Sequence, residues 1–196
     1  SDDTLTPGAL TRAAEFIGDD AGRRFFFQLI RVVDEDGALV YQPTIGRGPM
    51  DRVLAEGNPL SCSGVYVDRD LFLRHRFPEA PELVASEDWH CWIRVASDCL
   101  PECCPGGGAL LVDHASRTMA VDRWEVAERR FAMLTEDLLA SPAAREFLEP
   151  NLALFRATQD HYVAVKAVQQ GAVGVSTVRF VRSIRRFPSL LMTRRT

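Results

Sequence analysis

The chain of 196 residues has 46% hydrophobic and 26% charged residues and a net charge of −4. This composition is typical of one folded domain with a sizeable core, and it excludes a disordered or fibrous chain. No apolar run approaches the roughly 20 residues that span a bilayer. Because the sequence begins at Ser1 without a signal peptide, we interpret it as a processed or excised piece of a longer protein.

The first third of the chain predicts a helix, a β-hairpin and a short helix. Apolar residues at positions 10, 13, 14 and 17 have the spacing of one helix face. Residues 24–33 are rich in Phe, Ile and Val and predict a strand, and an acidic turn at 34–37 leads into a second strand at 38–42. A Gly/Pro loop then precedes a short helix at 50–55.

Strands alternate with helices in the middle of the chain. Residues 61–67 and 109–113 have the small and apolar pattern of buried strands. Asp68 and Ser86 are expected to cap two helices that begin at the residues directly after them.

From Asp122 onward the pattern is helical, with breaks near Ser141-Pro142 and near residues 171–174. The fold class is therefore α/β, but the strands are too few for a complete doubly wound sheet. We expect residues 1–120 to form the α/β part and residues 121–196 to form a helical extension with a basic tail.

The five cysteines are an odd number without framework spacing, which favours reduced thiols and a cytosolic setting. Cys99, Cys103 and Cys104 are close enough in sequence to suggest a zinc site, but no second Cys/His pair stands at a supporting distance. Buried or incidental cysteines are the interpretation we prefer.

Charge is unevenly distributed along the chain. Residues 161–196 contain seven Lys and Arg and no Asp or Glu, which leaves a net charge of −11 on residues 1–160. Two interpretations remain open for this basic tail. It has its own partner, such as an anionic membrane face or another protein, or it is a solvated helix that lies on the acidic body.

Two acidic pairs are the candidates for chemistry. Asp2-Asp3 precedes a Pro/Gly turn and suits Mg²⁺ or Mn²⁺, which prefer carboxylate oxygen. Glu87-Asp88 starts a helix beside Trp89 and Trp92, and this suits a general base next to a flat apolar surface for a sugar-sized ligand. Without further information, we favour a capped turn as the explanation of Asp2-Asp3. For Glu87-Asp88 the alternative is a pair of acids favoured by the helix dipole, but the two indoles beside the pair favour the catalytic role.

Several short motifs follow one another in an order that resembles the family 2 glycosyltransferases, in the C-terminal portion of their GT-A domain. Ser1-Asp2-Asp3 is similar to the end of the family's D-x-D-D motif, with its first Asp missing. The other matches are Gly57-Asn58-Pro59 with Ser61–Gly64, Phe77-Pro78-Glu79, Glu87-Asp88-Trp89 with Trp92 and Arg94, and Val112–Ser116, which resembles an H-x-S element. The resemblance runs from Ser1 to about Thr118.

The resemblance implies an inverting transferase that takes a sugar from a nucleotide-diphosphate donor and uses Mg²⁺ or Mn²⁺ to stabilise the leaving diphosphate. Asp88 would be the catalytic base, and Glu87 would orient the site or bind the acceptor. Asp2 and His114 would hold the metal, although a hydrogen-bonded surface histidine is an equal alternative for His114. The substrate-binding residues would be Asp3, Trp89, Trp92, Arg94, Ser116 and Arg117. The surface interpretation is kept for His75, His90 and His161.

The sequence also departs from the family. The N-terminal half that binds the nucleotide is absent, so we expect the isolated chain to bind nucleotide-sugar poorly and to transfer little sugar. A Gln-x-x-Arg-Trp element is also missing, which favours single-sugar transfer to a saccharide or lipid-linked acceptor. Family habit implies bacterial surface polysaccharide or glycolipid synthesis, in the cytoplasm or at the inner membrane face. The alternative function is an inactive, transferase-like binding or scaffold module. Nucleic acid is not an expected partner, because the basic residues lack interleaved aromatic side chains beyond Phe180 and Phe187.

Overall fold

A computed structural model describes residues 3–18, 20, 22–46, 48–113 and 123–192, with backbone alone at 191 and 192. The described part has mixed α/β structure with one mixed sheet and a helical C-terminal part. The strands are β1 (Thr4–Leu5), β2 (Phe25–Val33), β3 (Leu39–Tyr41), β4 (Val65–Val67) and β5 (Glu102–Val112). The helices are α1 (Ala9–Ile17), α2 (Met50–Glu56), α3 (Arg69–His75), α4 (Glu87–Ala96), α5 (Trp124–Ala140), α6 (Pro142–Leu148), α7 (Leu152–Gln169) and α8 (Val173–Arg186).

β2 lies at the centre of the sheet. β5 runs parallel along one edge of β2, and β1 pairs antiparallel with the far edge of β5. β3 and β4 both pair antiparallel with the other edge of β2, β4 at its beginning and β3 at its end. The predicted hairpin at 34–37 is confirmed, and the Asp34 carboxylate accepts hydrogen bonds from the backbone amides of Asp36 and Ala38 in its turn.

Two strand predictions need correction. β5 begins at Glu102, well before the predicted residue 109, because its glycines permit close packing and do not form a loop. A Cβ on Gly108 would lie 2.7 Å from the Cβ of Gln28, a distance that only glycine avoids. In the segment 61–67, residues Cys62–Gly64 form a 3₁₀ turn, and only the last three residues are a strand.

The helix predictions hold more closely, because caps and apolar spacing are local signals. The Asp68 carboxylate accepts a hydrogen bond from the Leu71 amide and caps α3 as expected. Ser86 precedes α4, but its side chain makes no capping hydrogen bond. Among the described helices, none combines the length and apolarity that crossing a membrane requires.

The largest hydrophobic cluster joins the sheet to the helices. It contains Phe25 and Trp92 from the first part of the chain together with Phe131 and Phe155 from the helical part. Residues on both sides of position 120 therefore contribute to one core. The division into two parts at that position stays a prediction.

His90 is a polar member of this interior, and its expected surface position is wrong. The ring is fully buried on α4, and its Nε2 lies 2.5 Å from Oδ2 of Asp137 on α5. Burial lowers the pKa of His90, although the Asp137 carboxylate opposes this effect. His90 is therefore neutral near pH 7, and the stability it contributes is lost as the pH falls below its unfolded value of about 6.5 toward the folded pKa.

We expect Asp137→Ala to lower the free energy of unfolding by about 1–3 kcal/mol, because it leaves the buried Nε2–H without an acceptor. Asp137→Asn keeps an oxygen at this place and is expected to cost clearly less. Urea denaturation near pH 7 measures both values. Equal losses for the two variants, or no loss for either, would contradict the role of Asp137 as the hydrogen-bond acceptor of His90.

Candidate active site

The start of α4 carries the two acidic residues of the candidate site on a strained piece of backbone. Ala85 has a φ of +70°, which is unfavourable for a residue with a Cβ. Such strain is found where the surrounding structure enforces it, often beside functional groups. Asp88 follows three residues later, and its Oδ1 accepts a hydrogen bond of 2.7 Å from the Trp89 amide.

The Asp88 carboxylate lies in a partly buried place that favours its protonated form. Burial raises the pKa of Asp88, and repulsion by Glu87 raises it further. Hydrogen bonds from the Trp89 amide and from the Asn58 side chain oppose the rise but do not cancel it. One oxygen of the Glu87 carboxylate is buried without a hydrogen-bond partner. A carboxylate with a raised pKa is a better proton acceptor than an exposed one.

Asn58 reaches Asp88 from the turn that follows α2. Its Oδ1 accepts a hydrogen bond of 3.2 Å from the Leu60 amide, which fixes the orientation of the side-chain amide. The side-chain amide lies close enough to the Asp88 carboxylate to lower the pKa of that group, against the larger effect of burial.

The 3₁₀ turn Cys62–Gly64 joins the two acidic regions of the chain. Cys62 is exposed at the surface, but the protein packed around its thiol and the negative charges of Asp88 and Glu87 raise the pKa of Cys62 to about 12. The next residue, Ser63, donates a hydrogen bond of 2.9 Å from its Oγ to Oδ2 of Asp3. Asp3 thus contacts this turn directly, and the negative charge of Asp88 acts on the neighbouring Cys62, although the two carboxylates are far apart in the sequence.

The sheet explains how Asp3 arrives there. Thr4 of β1 is opposite Leu110 of β5, and the two strands are antiparallel. Asp3, just before β1, therefore lies at the sheet edge where β5 ends. Gly64, the last residue of the Cys62–Gly64 turn, packs so closely on β2 that a Cβ at this position would lie 2.6 Å from the carbonyl oxygen of Gln28.

The predicted flat aromatic surface beside Asp88 is not formed, and this expectation is wrong. Trp89 is 6% exposed and Trp92 is 3% exposed. Each indole N–H donates to a backbone carbonyl inside the core, Trp89 to Leu54 at 2.8 Å and Trp92 to Leu60 at 3.2 Å. The indoles therefore support the start of α4 from within and do not offer a stacking surface to a ligand.

The other predicted residues are not brought to this site by the described structure. Arg94 acts electrostatically on His90 and Cys91, further along α4, and it is not among the groups that shift the pKa of Asp88. Its proposed contact with substrate stays a prediction. Asp2, His114, Ser116 and Arg117 lie outside the described residues.

A metal site is likewise not formed by the described side chains alone. Among them, no group of three or more His, Cys, Asp and Glu is arranged to hold a metal ion. All five cysteines are free, and none forms part of such a group within the described ranges. The divalent ion implied by the resemblance remains an expectation that involves Asp2 and His114.

No protein-family model matches the sequence, and no curated protein is significantly similar to it. The interpretation of the site therefore rests on its geometry and on the motif resemblance. Asn58, Cys62 and Ser63 received no role from the sequence, although they belong to two of the matching motifs. Only the folded chain shows that these residues contact or face the acids.

Proposed function

We propose that this chain is the acceptor-binding and catalytic-base part of an inverting glycosyltransferase of GT-A type. The observation that supports it best is the hydrogen bond from Ser63 to Asp3, next to Cys62, whose pKa the charges of Asp88 and Glu87 raise. Asp3 belongs to the N-terminal motif, and Asp88 belongs to the motif at the start of α4. Two separate acidic regions at one turn are what a donor site next to an acceptor site requires.

Asp88 is the base in this proposal. As the acceptor hydroxyl attacks the anomeric carbon, its proton passes to the Asp88 carboxylate and a new carbon–oxygen bond forms. The bond from the anomeric carbon to the diphosphate oxygen breaks on the opposite side, and the diphosphate leaves with the electron pair. This in-line displacement inverts the anomeric centre. The raised pKa of Asp88 favours proton transfer.

Asp3 is the proposed contact to the donor, through the ribose or through support of a bound divalent ion. The Ser63 hydroxyl positions it with a hydrogen bond. Glu87 is proposed to keep the Asp88 pKa raised by like-charge repulsion and to orient the acceptor. The acceptor class, saccharide or lipid-linked, follows from the resemblance.

A second candidate function is a transferase-like binding module without catalysis. The basic C-terminal segment favours it, because residues 161–196 contain seven Lys and Arg and no Asp or Glu, and these charges have no part in the sugar chemistry. The two functions differ in nucleotide binding, which only the first requires.

Calorimetric titration of the full-length protein with uridine and guanosine diphosphates, with and without Mn²⁺, tests the first function. We expect binding of one nucleotide that Mn²⁺ strengthens, and we expect Asp3→Asn to weaken it by about tenfold or more, because a charged hydrogen-bond partner is lost. Asp70→Asn on α3 is the matched control, since Asp70 is exposed and lies beside Arg69 of its own helix. Absence of nucleotide binding, or equal weakening by Asp70→Asn, would contradict the proposal.

A further inference from the structure

A cavity of about 400 Å³ lies between helices α5, α7 and α8. Its volume is in the range of pockets that bind small molecules. Arg179, Arg182 and Arg186 line it from α8, and their i, i+3, i+7 spacing places them on one face of that helix. Asp3 and Asp88 are not among the described residues that line this cavity, so it is distinct from the candidate active site.

Ion pairs hold two of these arginines against the wall. Arg179 contacts Glu128 on α5 and lies 2.8 Å from Oδ1 of Asp160 on α7. Arg186 lies 3.3 Å from Oδ2 of the same Asp160. Asp160 is nearly buried, so these pairs are less screened than pairs at an open surface. For these two arginines, the interpretation of the basic tail as a helix lying on the acidic body is supported.

The cavity wall keeps an excess of positive charge after this pairing. Arg156 on α7 and the exposed Arg182 also line the cavity, and Glu136 on α5 is the acid that lines it with them. Burial lowers the pKa of Arg179, and the positive charges of Arg182 and Arg186 lower it further. These cations are therefore close enough to repel one another, and a bound anion would relieve that repulsion.

Gln159 adds a buried hydrogen-bond donor to the same wall. The residue lines the cavity and is 8% exposed. Its Oε1 accepts a hydrogen bond of 3.0 Å from the Thr135 hydroxyl, which leaves the NH₂ group as the outward donor of the side chain. Within the described ranges, no protein atom accepts a hydrogen bond from Nε2. A buried donor is unfavourable without an acceptor, so this amide indicates a ligand that supplies one.

The remaining wall is partly apolar, because Phe131, Leu139 and Val163 also line the cavity. A ligand that fits has an anionic group and a small apolar or weakly polar body. The two arginines and the amide offer three separate donor groups. These match the three terminal oxygens of a phosphomonoester better than the two oxygens of a carboxylate.

We propose that this cavity binds a small phosphomonoester. Arg156, Arg182 and the Gln159 amide hold the phosphate group, and the apolar wall contacts the organic part. Arg179 and Arg186 stay paired with Asp160, so they shape the cavity and contribute positive potential. This inference does not depend on the proposed sugar transfer.

Calorimetric titration of the full chain with phenyl phosphate tests the proposal, with phenol and benzoate as the comparison compounds. We expect phenyl phosphate to bind, benzoate to bind more weakly and phenol to show no binding. Arg182→Gln is expected to weaken phenyl phosphate binding about tenfold or more, because a charged hydrogen-bond donor is lost. Glu136→Gln is expected to strengthen it about twofold to threefold, because a repelling charge is removed.

Arg185→Gln is the matched control, since Arg185 is exposed on the same helix and is not among the described residues that line the cavity. It changes the net charge by the same amount as Arg182→Gln and is expected to leave binding unchanged. Melting temperatures should confirm that both variants fold, because both arginines are exposed. Absence of phenyl phosphate binding, equal binding of phenol, or tighter binding of benzoate would overturn the proposal. So would equal weakening by Arg182→Gln and Arg185→Gln.

Discussion

We expect Asp88→Asn to lower the rate of sugar transfer by the full-length protein by a factor of about 10² to 10⁴. The asparagine has the same shape, and its oxygen can still accept the Trp89 amide hydrogen bond. It cannot, however, take the proton of the acceptor hydroxyl. Nucleotide affinity should stay unchanged, because the donor is held elsewhere. Transfer kinetics and calorimetry on the same preparation measure the two quantities.

Glu87→Gln is the control that separates a proton acceptor from a merely structural acid. Repulsion by Glu87 raises the pKa of Asp88, so its removal lets that pKa fall. The acid limb of the pH–rate profile, where Asp88 becomes protonated, should then move to lower pH. An unchanged profile in Glu87→Gln, or full activity in Asp88→Asn, would rule out Asp88 as the base.

Asp88→Asn should also stabilise the fold near neutral pH, by about 1 kcal/mol. The folded pKa of Asp88 is raised above its ordinary value of 3.8, mainly by burial. The stability that protonated Asp88 contributes is present below that value and is lost as the pH rises through the folded pKa. Asparagine carries no charge at any of these pH values, so Asp88→Asn should remove this part of the pH dependence. A loss of activity with a gain in stability is typical of a functional residue.

Local signals explain which parts of the fold could be predicted. The Asp68 cap, the acidic hairpin turn and the break at Ser141-Pro142 each depend on a few neighbouring residues. The first part of β5 could not be predicted in this way. In the sequence alone its glycines indicate a loop, and only their close packing against Gln28 of β2 explains why they belong to a strand. Sequence periodicity identifies these elements but does not identify their neighbours.

The exposed face of a helix is the feature that the sequence determines least. On α4, periodicity places Trp89 on a face with Ile93, but it cannot show that helices α2, α5 and α6 pack around α4. On α8, composition shows a basic helix, but only the position of Asp160 shows that Arg179 and Arg186 turn toward the protein. The acidic pair at 87 and 88 could be identified early, because a helix start is a local signal. Its link to Asp3 through Ser63 is a long-range contact.

The burial of the indoles leads to the largest expected effect on stability. Trp89→Ala should lower the free energy of unfolding by about 3–5 kcal/mol, because it leaves a cavity in the core. The ring packs edge-on against Phe131 at 6.1 Å between centroids and contacts Phe155 at 5.2 Å. The carbonyl of Leu54 also loses its donor. Against a total stability of about 5–15 kcal/mol, this loss is severe.

Trp124→Ala provides the matched comparison, since this third tryptophan is only half-buried at the start of α5. It removes the same ring but is expected to cost clearly less, because water already reaches part of its surface. Denaturation by urea gives both values. If Trp89→Ala cost no more than Trp124→Ala, the indole would not belong to the core. An exposed aromatic surface beside Asp88 would then again be the better interpretation of Glu87-Asp88-Trp89.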